Sequence, residues 1–171
     1  IGMMLAAQAN SPIRRLVIND IGPFIPKAGL ERIAGYVGKD PRFASLAEAE
    51  AALRRTANTF GLTTDSEWRR FTERSVVPAG QGQYALAYDP GIAKGFGAAI
   101  KDIDLWAVWD KVRCPVLVLR GAQSDLLTAA TAEEMRHRGP GRAVIEIPDC
   151  GHAPALMTQA QIGPVRDWLR G

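Results

Sequence analysis

Apolar and polar positions follow two different periods along this chain. Residues 1–9 are small and apolar almost all round, which suits a helix buried against a sheet. Residues 14–19 (RRLVIN) form a short β-branched run closed by the turn formers Asn19-Asp20-Ile21-Gly22-Pro23, a pattern that predicts a buried strand opening into a loop. From about residue 24 to residue 103 the period is helical, with scattered glycines and no further clear strand. Helices are predicted over 29–37, 46–60 and 67–76. The second places Leu46, Ala49, Leu53, Ala57 and Phe60 on one face behind a Ser45/Glu48 capping box; the third repeats that arrangement with Thr64 and Glu67 and buries Trp68 and Phe71. Residues 84–88 read as a short extended piece stopped by Asp89-Pro90-Gly91.

Beyond residue 104 strand and helix alternate. The apolar run 115–119 (PVLVL) predicts a strand, and 131–138 a helix with Thr131 and Glu134 as its capping box. Gly139-Pro140-Gly141 breaks that helix, 143–147 (AVIEI) is a further strand, and 159–169 a final amphipathic helix carrying Ile162, Val165, Trp168 and Leu169. Short loops between these elements imply right-handed crossovers in a parallel sheet covered on both faces. The expected organisation is therefore α/β, with core over 1–23, an inserted helical subdomain over 24–103, and core again over 104–171.

Composition narrows the function classes. With 171 residues, 47% hydrophobic and 23% charged, the chain is too apolar and too weakly charged to be disordered. The formal charge of +3 comes from arginines spread along the chain and forms no basic cluster, so no nucleic-acid partner is expected. No run approaches the ~18 uncharged apolar residues of a membrane span, and the N-terminus lacks the pattern of a secretory signal. A cytoplasmic protein with no membrane partner is the expectation. Cys114 and Cys150 would flank neighbouring parallel strands at opposite edges, about 15 Å apart, too far for a disulfide. His137 and His152 are too few and too separated for a metal cluster, so neither a metal nor an organic cofactor is expected. The chain also starts at Ile1 within an apolar run that has no preceding cap, which reads as the middle of a helix in a longer protein.

Loops that follow the strands of a parallel sheet gather at its carboxyl edge, where open α/β proteins bind and react. Asp20, Asp125 and His152 each follow a predicted strand and should converge there. A carboxylate that orients an imidazole leaves the other ring nitrogen free as a general base. His152, in Asp149-Cys150-Gly151-His152-Ala153-Pro154, is the expected base; Asp125 is the expected orienting acid and Asp20 the alternative. His137, between Arg136 and Arg138 near a helix end, reads as a surface residue well placed for the helix dipole.

These residues resemble a known family. Residues 115–125 (PVLVLRGAQSD) followed by 148–154 (PDCGHAP) are similar to the C-terminal half of an α/β-hydrolase, whose pattern is a strand, G-x-x-S/D-D, a helix, a strand, and then G-H with a small residue or proline. Residues 1–7 (IGMMLAA) resemble the helix after the nucleophile elbow, and 24–103 occupies the place of the helical cap. The resemblance implies Asp125 as triad acid, His152 as triad base, and a cap lining the pocket of a small-molecule substrate, with Phe24, Trp68, Tyr88, Trp106 and Trp109 as candidate contacts. It also implies a G-x-S-x-G elbow, which this chain lacks: Ser11, Ser45, Ser66, Ser75 and Ser124 lie in no such setting. The implied activity is hydrolysis of an ester, lactone or related carbonyl compound by a nucleophile upstream of Ile1. An aspartate nucleophile of the dehalogenase or epoxide-hydrolase kind, or a non-catalytic binding protein, are the alternatives. The 171 residues alone are expected to be inactive, with the missing N-terminal half or another copy of the chain covering the open sheet edge.

Overall fold

The structure, a computed structural model, describes residues 1–96, 99–140 and 143–171; Gly141 of the expected breaker and residues 97–98 of the expected insertion lie outside the described residues. In chain order the elements are α1 (Gly2–Ala6), β1 (Leu16–Asn19), β2 (Phe24–Ile25), α2 (Lys27–Ala34), β3 (Arg42–Phe43), α3 (Leu46–Thr56), α4 (Asp65–Ser75), β4 (Val76–Pro78) and β5 (Tyr84–Leu86). A 3-10 segment (Pro90–Phe96), β6 (Ile103–Asp104), α5 (Trp106–Trp109), β7 (Val116–Gly121), α6 (Ala129–His137), β8 (Ala143–Ile147) and α7 (Gln159–Arg170) complete them. Two compact units result: Ile1–Gly29, Thr59–Gly61 and Lys101–Gly171 form an α/β unit, and Leu30–Asn58 with Leu62–Ile100 form a mainly helical one.

The α/β unit is built on a parallel sheet in the order β1-β7-β8. Its register sets Ile18 beside Val118 and Val118 beside Val144, so one β-branched residue from each strand falls in a single layer. That layer packs on Met3 and Ala6 of α1, Trp109 of α5, and Ala132 and Met135 of α6. Leu117 and Leu119 alternate to the other face and are just as buried. Burial on both faces explains why β7 reads as an uninterrupted apolar run. β2 and β6 pair antiparallel beside this sheet.

The helical unit holds a small antiparallel sheet, β3-β5-β4, and the helix pair α3 and α4. Ser45 caps α3 by accepting from the Glu48 N–H, while the Glu48 carboxylate turns back to the Ala44 N–H. Thr64 and Glu67 form the full reciprocal capping box of α4. Phe43, Ala49 and Val76 make this unit's own core.

Several boundaries differ from the sequence reading for identifiable reasons. β5 lies within the expected extended piece 84–88, but the insertion also contains strands that periodicity missed, because segments of two or three residues are too short to show an alternation. α6 starts at Ala129 under the cap Thr128, whose hydroxyl accepts from the Thr131 N–H; Thr131 itself lies inside the helix and is buried. α3 stops at Thr56, and Thr59–Gly61 leave the helical unit to join the α/β unit.

Candidate active site

The three parallel strands end side by side, and each end delivers one polar group. Asp20 follows β1 at φ 55°, a left-handed conformation that aspartate tolerates better than most residues. Its carboxylate is wholly buried. Oδ1 accepts from the Gly121 N–H at 2.7 Å, and Oδ2 accepts from the Ser124 hydroxyl at 2.6 Å. His152, after β8, places Nδ1 3.0 Å from Oδ2 and 2.9 Å from the main-chain oxygen of Asp20. Both groups facing Nδ1 are acceptors, so Nδ1 carries the proton and Nε2 keeps its lone pair. Nε2 has no hydrogen-bond partner among the described residues, and 20% of the His152 side chain is exposed. The result is a held imidazole with its basic nitrogen open.

Local structure around β7 keeps Asp20 in place. The turn closes with Ser124 N–H to Gly121 C=O at 2.9 Å, which points the Ser124 side chain back toward the strand ends. That hydroxyl also accepts from the Leu126 and Leu127 N–H groups at 3.2 and 3.1 Å, so its donor and both its acceptor positions are used. Arg120, buried in register beside Glu146, forms an ion pair with it and donates to the Leu127 and Ala122 carbonyls, tying down both sides of the turn. Gly121 has no room for a side chain: a Cβ there would collide with the main-chain oxygens of Gly151 and Cys150. Ala122 N–H to Ile147 C=O (2.9 Å) and Gln123 N–H to Cys150 C=O (2.8 Å) then fasten the β7 turn to the histidine loop. From β1, Asn19 Nδ2 donates to the Pro154 carbonyl at 2.9 Å.

The structure brings Asp20 and His152 together and does not place Asp125 on Nδ1. Asp125 follows Ser124 in the same turn, but its side chain is exposed and its carbonyl faces Gly29. The reason is a one-residue phase: the turn aims Ser124 inward and Asp125 outward. Trp109 is also corrected. It is fully enclosed in the α/β core with Nε1 donating to the Arg138 carbonyl at 2.7 Å, so it cannot touch a substrate. Trp106 packs under the Arg138 guanidinium at 4.7 Å in the same unit. Within the helical unit Trp68 is buried, edge-on to Phe71 and beneath Arg54, and the half-buried Tyr88 donates its hydroxyl to the Lys39 carbonyl. Phe24 lies half-buried in β2.

Ser124, Gly121, Asn19 and the Thr59–Gly61 segment had no functional reading in the sequence; the N-D-x-G-P run and the glycine ending β7 were the available signals. Cys150 is fully buried, and burial together with the negative Asp20 pushes its thiol up to about 11. Both cysteines are free. Exposed His137 bonds Glu133 one turn away on α6.

Comparison with known proteins identifies the family of the fold. The model of the alpha/beta hydrolase family matches residues 2–162. The chain belongs to this family. Among its relatives, a 3-hydroxybutyrate-oligomer hydrolase of Cupriavidus necator is 38% identical over 181 residues, covering 100% of this chain and 61% of the relative. An alpha/beta hydrolase from Novosphingobium aromaticivorans superposes with TM-score 0.85 at 35% identity, over 98% of this chain and 60% of its own. A Rickettsia typhi protein superposes with TM-score 0.89 at 34% identity, over 99% and 58%. The chain thus spans about three fifths of the length of the relatives it matches. Among the described residues no helix is long and apolar enough to cross a membrane.

Proposed function

We propose that this chain supplies the acid–base half of a hydrolase that cleaves carboxylic esters, with His152 as general base and Asp20, in place of Asp125, as the acid that orients it. The single observation that carries this is the buried Asp20 carboxylate held by two donors and set 3.0 Å from His152 Nδ1. In that geometry Nε2 takes a proton from the attacking nucleophile, Asp20 steadies the imidazolium that forms, and His152 returns the proton to the leaving alcohol. A second round with water releases the acid. The nucleophile comes from outside these residues. Ser124, the serine at the strand ends, has its proton committed to Asp20 and its lone pairs to two main-chain N–H groups. Ser45 and Ser66 are taken up at helix starts, and Ser11 accepts from the Ile13 N–H.

Similarity over the whole chain to a 3-hydroxybutyrate-oligomer hydrolase supports short oligoesters of hydroxy acids as the substrate class. A scaffold that needed only the fold would have no use for a buried carboxylate aimed at an open imidazole, because burying that charge costs stability. The test is hydrolysis of a 3-hydroxybutyrate dimer and of p-nitrophenyl butyrate by the full-length protein. The Asp20→Asn, Asp125→Asn and His152→Ala variants are assayed beside it. His152→Ala and Asp20→Asn are expected to lose activity on the order of 10³–10⁴-fold and Asp125→Asn less than about 5-fold. The reverse order of the two aspartates would overturn the acid assignment, and turnover of the nitrophenyl ester without the dimer would remove the oligoester reading.

A further inference from the structure

The histidine loop is gripped on one side by a piece of chain that comes from elsewhere in the sequence. Thr59–Gly61 lies between Asn58 and Leu62 of the helical unit, yet it belongs to the α/β unit. Its main chain pairs with the histidine loop as a short strap: the Gly151 N–H donates to the Thr59 carbonyl at 2.6 Å and the Ala155 N–H to the Phe60 carbonyl at 3.1 Å, on either side of His152. The strap is fixed in turn by one side chain. Gln161 of α7 is 2% exposed; its Nε2 donates to the Phe60 and Gly61 carbonyls at 3.2 and 3.4 Å, and its Oε1 accepts from the Met157 N–H at 3.3 Å. One amide therefore joins the strap to the far end of the same loop. The fit allows little slack. Gly61 sits at φ +73° with a would-be Cβ 2.5 Å from Gln161 Nε2, and a Cβ on Gly151 would fall 2.8 Å from the Thr59 Cβ.

We propose that Gln161 is a positioning residue for hydrolysis: through the Thr59–Gly61 strap it sets where His152 stands against Asp20. The inference rests on the general-base role of His152 given above. The other anchors of the loop, Gln123 N–H on the Cys150 carbonyl and Asn19 Nδ2 on the Pro154 carbonyl, each lie two residues from His152, so a strap that has lost Gln161 lets the segment between them shift and carry the ring with it. A shift of about 1 Å at the base is enough to cost on the order of 10- to 100-fold in turnover without touching substrate binding.

The test uses the full-length protein and three variants. Gln161→Met removes all three hydrogen bonds at similar length and volume. Gln161→Glu has the same shape but sets a carboxylate against two carbonyls; burial and those carbonyls favour its protonated form, which can donate again. His152→Ala is the reference for the base itself. The expected result for Gln161→Met is kcat down about 10-fold with KM within about 2-fold, together with a shifted or exchange-broadened downfield His152 Nδ1–H proton signal. For Gln161→Glu the ratio of variant to wild-type kcat should climb from about pH 8 toward about pH 6 as the acid protonates. A lowered Tm with kcat, the proton signal and that ratio unchanged would show Gln161 to be structural only and overturn the proposal. If Gln161→Met does not fold, the pH trend of the isosteric Gln161→Glu decides alone. An active His152→Ala enzyme would instead sink the base assignment, a failure separate from that of Gln161.

Discussion

Asp20 shows how one residue's environment sets its chemistry. A carboxylate with no contact with water must find its hydrogen bonds inside the protein, and this one has the Gly121 N–H, the Ser124 hydroxyl and the His152 ring. Removing the hydroxyl in Ser124→Ala leaves Asp20 Oδ2 short of a donor and the Leu126 and Leu127 N–H groups short of an acceptor. The expected cost is about 1–3 kcal/mol in chemical denaturation, with a measurable drop in turnover; a neutral result would mean that water replaces the hydroxyl. Cys150 makes a second residue-scale test. With its thiol near 11 it stays protonated across the neutral range, and its thiolate fraction at about pH 8 is about one in a thousand. Iodoacetamide should therefore leave Cys150 unlabelled in the native protein and modify it on unfolding, as mass spectrometry would show. In the sequence the N-D-x-G-P run already marked Asp20 as a carboxylate at a strand end. What it could not show was that the β7 turn is phased to point Ser124 inward and Asp125 outward.

Elements were legible in proportion to their length and burial. β7, β8, α4 and α7 fall where periodicity and capping put them, because a long apolar face or a reciprocal cap leaves few alternative registers. Of the short strands of the insertion, β5 lies within the expected extended piece 84–88; β2, β3, β4 and β6 were not legible, since two or three residues show no alternation and pairs such as Phe24 with Asp104 join distant segments. Two variants test the elements that matter most. Gly121→Ala forces a methyl group between β7 and the histidine loop and should cost about 1–3 kcal/mol, with activity falling faster than Tm. Thr64→Ala removes the α4 cap and should cost about 1 kcal/mol while leaving kcat unchanged, because its contacts lie within the helical unit. Loss of activity in the second variant beyond the loss of folded protein would contradict that separation.

At the scale of the molecule, β1 has β7 as its one sheet neighbour among the described residues, and Ile1, Met4 and Leu5 on and beside α1 are 96, 59 and 41% exposed. An open strand edge beside apolar side chains favours association. The 171 residues expressed alone are expected to self-associate in light scattering and to show no ester turnover, whereas a monomeric, active preparation would refute both expectations. The sequence by itself determined the α/β class, the two long parallel strands after residue 104, and the histidine after the last of them, because burial on both faces and turn chemistry are local signals. Only the tertiary structure decided which acid meets that histidine and which distant segments hold its loop. Asp20 and His152 are 132 residues apart, and Phe60 and Gln161 101. Contacts over such separations depend on side-chain direction at the strand ends to within one residue of phase, and no local pattern in the chain encodes that.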